Sequence, residues 1–170
     1  MGVRKFEIVL SICAAFVMAL ALPSAAKEAR DAGFSGKWVL DKHSNAPQGL
    51  EELEQRIKQN GNDVHIESKF PEPKNAIVPL IYLGVMTTTL HMVADGSEVQ
   101  NQIGPFQQAS KTTIDGNRME TEYTAVVNGD QVQGHWTRTL SEDGKHMTLA
   151  IKESSTQGQH AEAELHFTRK

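Results

Sequence analysis

The stretch Arg118-Met119-Glu120-Thr121-Glu122-Tyr123-Thr124-Ala125-Val126-Val127 decides the fold class. Met119, Thr121, Tyr123, Ala125 and Val127 fall on one face of an extended chain, and Arg118, Glu120, Glu122 and Thr124 on the other. Successive side chains of a strand point to opposite sides, so this is a strand with one buried and one solvated face. The dipeptides that bound it, Asp115-Gly116 and Asn128-Gly129, favour the positive φ angles of tight hairpins.

The same alternation continues downstream. Met147, Leu149 and Ile151 oppose Thr148 and Lys152, and Ala161, Ala163, Leu165 and Phe167 oppose His160, Glu162, Glu164 and His166. Asp143-Gly144 and Gln157-Gly158 carry on the punctuation at intervals of 13 to 15 residues, which leaves no room for crossover helices. Upstream, Asn60-Gly61 and Asp95-Gly96 predict further hairpin turns. Leu50–Gln59 reads two ways: Leu50, Leu53 and Ile57 have helical spacing, while Leu53, Gln55 and Ile57 also alternate with Glu54, Arg56 and Lys58. The turn dipeptide that follows favours a hairpin. An antiparallel meander must hide its edges, and a closed barrel of eight to ten strands does so. A two-sheet sandwich is the alternative.

The chain has 170 residues and a net charge of −4, so no basic excess is present for a nucleic acid. Arg4 and Lys5 precede an apolar run, Ile8 to Leu22, followed by Pro23-Ser24-Ala25-Ala26. This is the pattern of a cleaved secretory signal, and the run is too short to span a bilayer with ease. The expected organisation is a signal peptide over 1–26, a polar leader over 27–33 and one β-barrel domain over 34–170, exported to a periplasm or secreted, with no membrane anchor after cleavage. The mature segment has no cysteine, since the single Cys13 lies in the signal. Thiol chemistry is thereby excluded, and the core must hold the fold without disulfides.

Phe34-Ser35-Gly36-Lys37-Trp38 opens the mature domain, Trp136 precedes the turn Ser141-Glu142-Asp143-Gly144, and the chain ends on Phe167-Thr168-Arg169. This pattern resembles the calycin group, lipocalins and fatty-acid-binding proteins, and in particular secreted bacterial lipocalin-like proteins. The resemblance implies a barrel whose end is built by Gly36, Trp38 and Arg169, with the guanidinium over the indole. The chain departs from fatty-acid-binding proteins in having too few residues between Asp41 and Leu53 for their two-helix lid, and in lacking their Arg-x-Tyr clamp.

Val132, Gly134, Trp136, Arg138 and Leu140 share a face, so if Trp136 points inward Arg138 does too. One reading places the Arg138 guanidinium on a ligand carboxylate or phosphate. The other places its stem on Trp136 and its head in water or on Glu153. Phe106, Gln108, Ser110, Thr112, Thr121 and Tyr123 suggest a partly hydrated cavity, or simply good strand formers. Ala76–Met86, which includes Tyr82, reads as a lid or as a buried strand or plug, with Pro79 against a central strand. The seven histidines show no short metal-ligand spacing. His166, near the C-terminus, could be cast as a haem ligand, but its parity faces solvent. The sequence thus points to an exported binder of a small, largely apolar, lipid-like molecule, with Arg138, Trp136, Tyr123 and Tyr82 facing the ligand and no metal, cofactor or catalytic group. The alternatives are an envelope interaction or stress module with a filled core, whose protein partner the sequence leaves unnamed, and a barrel-borne isomerase or cyclase using Glu153.

Overall fold

The computed structural model describes residues 33–44, 46, 50, 52–69, 89–103 and 106–170. Ten strands follow one another: β1 (Gly36–Leu40), β2 (Glu54–Asn60), β3 (Asp63–Lys69), β4 (Thr89–Val93), β5 (Asp95–Ile103), β6 (Phe106–Asp115), β7 (Arg118–Val127), β8 (Asp130–Leu140), β9 (His146–Ser155) and β10 (His160–Arg169). All ten belong to one antiparallel sheet in the order β4-β3-β2-β1-β10-β9-β8-β7-β6-β5. This is a nearly closed barrel rather than a sandwich, with no helix among the described residues.

Alternation produces the barrel directly. Along β7 the inward Met119, Thr121, Tyr123, Ala125 and Val127 are buried, and the residues between them are not. The hairpin from β7 to β8 turns on Asn128 and Gly129, with φ of 52° and 84°, the left-handed pair that a two-residue turn matching the twist of the strands requires. The ambiguous stretch 50–59 resolves into β2, whose inward Gln55 and Ile57 are buried. Asn60-Gly61 then leads into β3. Asp95-Gly96 is a correction. The tight turn falls at Ala94, and Asp95 and Gly96 already open β5, where the register shifts before Glu98. Gly96, at φ 82°, supplies the bulge that its dipeptide had suggested as a turn.

Closure comes from β1 pairing with β10, Trp38 opposite Arg169 and Leu40 opposite Phe167. At that end Trp38 is fully buried and its Nε1 donates to the Phe34 carbonyl at 2.8 Å. The Arg169 guanidinium stands 4.6 Å from the indole centroid and also donates to the Gly33 carbonyl. Gly36 holds φ at 155°, a conformation that side-chain-bearing residues rarely adopt, and a Cβ there would rest at van der Waals distance on Arg169 Nε. At the opposite edges of the sheet, the Asn101 side chain on β5 bonds the β4 backbone across the seam. Asn101 Oδ1 accepts from the His91 N–H at 2.8 Å, and its Nδ2 donates to the His91 carbonyl at 2.9 Å.

Trp38→Ala is expected to cost about 3–5 kcal/mol of unfolding free energy, the range for truncating a buried large aromatic. Arg169→Met is expected to cost about 0.5–2 kcal/mol, the range for a cation over an indole. Urea denaturation of both variants checks the order, and equal losses would mean that the arginine does more than cover the ring.

Candidate functional site

The interior wall is a series of rings read across the ladders. Ser110, Tyr123, Gly134 and Glu153 lie level, then Thr112, Thr121, Trp136 and Ile151, then Ile114, Met119, Arg138 and Leu149. Trp136 links the levels. Its Nε1 donates to Glu153 Oε1 at 2.9 Å, its ring lies 4.5 Å from that of Tyr123, and the Arg138 guanidinium stands 5.9 Å from its centroid. Gly134 makes room for this cluster. A Cβ there would lie 2.1 Å from Tyr123 Cε1, so the tyrosine ring rests on bare backbone.

Arg138 is only 1% exposed. Its Nε and Nη1 have no hydrogen-bond partner among the described residues. The second reading of this side chain is therefore corrected: its head is neither in water nor on Glu153. The ladder explains why. Glu153 sits opposite Gly134, whereas Arg138 sits opposite Leu149, four residues or about 13 Å further along β8. Burial lowers the guanidinium to about 10, which leaves it charged at neutral pH. Its ring-level neighbours Met119 and Leu149 are apolar, so they do not offset that charge.

Other polar groups share the enclosure. Among the described residues, Gln108 is fully buried with neither amide atom partnered, and Gln55 donates to Ser68 at 3.2 Å while its Oε1 has no partner. The hydroxyls of Thr112 and Thr121 pair at 3.0 Å. Burial pushes the Glu153 carboxyl up to about 7, against the pull of the Tyr123 hydroxyl and the Trp136 indole. Burial and the Glu153 charge in turn drive the Tyr123 phenol up. A concavity of about 610 Å³ reaches Tyr123, Gly134 and Glu153 together with the outward-facing Lys111, His135 and Lys152. Arg138 does not line it, so the two features are separate.

Of the four ligand-facing candidates, the barrel brings Arg138, Trp136 and Tyr123 into one buried row. Tyr82, and with it the lid or plug over 76–86, lies outside the described residues. His166 faces outward, its Nε2 3.2 Å from Glu164 Oε1. The sequence reading missed Gln55, whose inward face was hidden in a segment of two periodicities. It also missed a cluster of Asp63, His65 and His91 on the outer face of β3 and β4. There the signal was Asp-x-His on one strand, with its third member 26 residues away in the chain.

No protein-family model and no curated protein matches the sequence. Among solved structures, the fold is similar to a secretory abundant heat soluble (SAHS) protein from Ramazzottius varieornatus, at 13% identity and a TM-score of 0.56, covering 81% of this chain and 96% of that one. It is also similar to fatty-acid-binding protein 1 from Echinococcus granulosus, at 11% identity and a TM-score of 0.50, covering 81% and 97%. The chain is thus a calycin-like β-barrel in fold.

The raised Glu153 carboxyl sets a pH dependence. The folded protein keeps this proton up to about 7, while an ordinary carboxyl loses it near 4.5. Stability from this group is therefore full below 4.5, falls as pH rises toward 7 and is flat above. The span corresponds to about 3 kcal/mol. Urea midpoints at pH 5 and pH 8 are expected to show Glu153→Gln gaining on the natural protein by up to about that amount at the higher pH. A gap independent of pH would mean that the carboxyl titrates normally.

Proposed function

We propose that the protein is an exported carrier of a small, largely apolar molecule bearing one anionic group, held inside the barrel with that group on Arg138. One observation carries the reading: a fully buried, charged guanidinium with two N–H-bearing nitrogens unpartnered among the described residues. A carboxylate or phosphate offers such a fork two acceptors at once and cancels its charge. Trp136, Leu149 and Met119 provide apolar contact beside it, and Gln108 supplies amide groups for any polar atom further along.

The fold supports a carrier, since such barrels enclose ligands, and one similar structure is that of a fatty-acid-binding protein. Fold alone does not assign the ligand, so the chemistry of Arg138 bears the weight. Export is supported by the charged start, the apolar run and the small residues before Lys27.

Calorimetric titration with dodecanoate and with its uncharged alcohol tests the reading. The natural protein is expected to prefer the carboxylate, and Arg138→Gln to lose more than about tenfold of that affinity while keeping its affinity for the alcohol. The buried charge is a cost to the empty barrel, so the same substitution is expected to leave thermal stability unchanged or raised. A variant that binds the carboxylate normally, or that unfolds, would show Arg138 to be structural.

A further inference from the structure

We propose that Asp63, His65 and His91 form a binding site for a divalent transition-metal ion of the zinc class on the outer face of the barrel, apart from the ligand cavity. His65 and His91 stand directly opposite each other in the β3–β4 ladder. Their rings stack with centroids 4.5 Å apart and planes 11° from parallel. Both Nε2 atoms converge on one carboxylate: His91 Nε2 lies 2.6 Å from Asp63 Oδ1, and His65 Nε2 lies 3.2 Å from Asp63 Oδ2. The ligating atoms all fall within 4.8 Å of one another, so modest rotation of the side chains brings two nitrogens and one oxygen around a single ion.

The chemistry favours such an ion over a proton. If both rings were protonated, two cations would stack at 4.5 Å with one carboxylate between them. A metal replaces both protons, uses both neutral imidazoles and keeps the carboxylate. Two imidazoles and a carboxylate suit zinc, copper or nickel far better than calcium or magnesium, and a fourth position stays open to water. The nearest cation on β2, Lys58 opposite His65, is engaged by Glu67, Nζ to Oε1 at 3.6 Å.

The ligands sit on strands rather than loops, which holds them in place. His91 is fixed from both sides, by β3 through the ladder and by the Asn101 amide across the seam. An ion here would clamp β3 to β4 beside the seam between the sheet edges β4 and β5, which the Asn101 side chain bridges.

Titration of the purified protein with zinc chloride at pH 7.5 tests this. Saturable binding of one ion per chain is expected, with chemical-shift changes centred on the His65 and His91 imidazoles of the natural protein. Loss of a residue that merely supports a ligand typically weakens a metal site about 10–100-fold, so His65→Gln and His91→Gln are each expected to weaken binding at least about tenfold. His160→Gln, on the distant β10, is expected to leave it unchanged. Absence of saturable binding, shifts centred on other histidines, or unchanged affinity in both variants would overturn the proposal.

Discussion

Everything inside this protein depends on the antiparallel pairing of β1 with β10. That ladder joins the start of the domain to its end, Trp38 to Arg169 and Leu40 to Phe167. It removes β1 and β10 as edges and makes the ten strands one sheet, nearly closed, whose remaining edges β4 and β5 face each other across a seam. Once the sheet is closed, strand parity alone decides which side chains share the interior. Arg138 cannot leave, because two residues away on the same strand Trp136 must face the same way.

Closure explains why the interior is energetically uneven. The Trp38 end is the better packed: its indole N–H has a carbonyl, its face has a guanidinium, and Phe34, Leu40, Leu53 and Phe167 are buried, although Arg169 Nε and Gln55 Oε1 have no partner among the described residues. Higher in the barrel the accounting differs. The Arg138 guanidinium, the Glu153 carboxyl and the Gln108 amide are buried with at least one polar atom each unpartnered among the described residues. A core that served stability alone would have no use for such groups, each of which carries a desolvation penalty of about 1–3 kcal/mol or more. Natural barrels keep such groups where a ligand or ordered water meets them. Two arginines on one chain thus do opposite work: Arg169 completes a packed end, and Arg138 is left charged in an apolar ring.

Much of this was legible in the residues. Strands β7, β9 and β10 show clean period-two alternation, and Asn128-Gly129 names its own turn. The inward direction of Arg138 followed from its parity with Trp136. Its height did not, because parity gives the face of a sheet and not the level along it. Whether Arg138 could reach Glu153 depends on the β8–β9 register, which the dipeptide Asp143-Gly144 in the intervening turn does not encode. Asp95-Gly96 misled because glycine at positive φ serves a bulge as well as a turn. The Asp63, His65 and His91 cluster stayed hidden because His91 stands 26 residues after His65 in the chain. Only the folded ladder sets His65 opposite His91.

Native mass spectrometry of the protein purified from its own host, before and after solvent extraction, tests the central claim most directly. A discrete added mass that leaves on extraction and proves to be an anionic amphiphile is the expected spectrum. A bare chain that also stays bare after incubation with carboxylate and phosphate lipids would contradict a carrier built around Arg138.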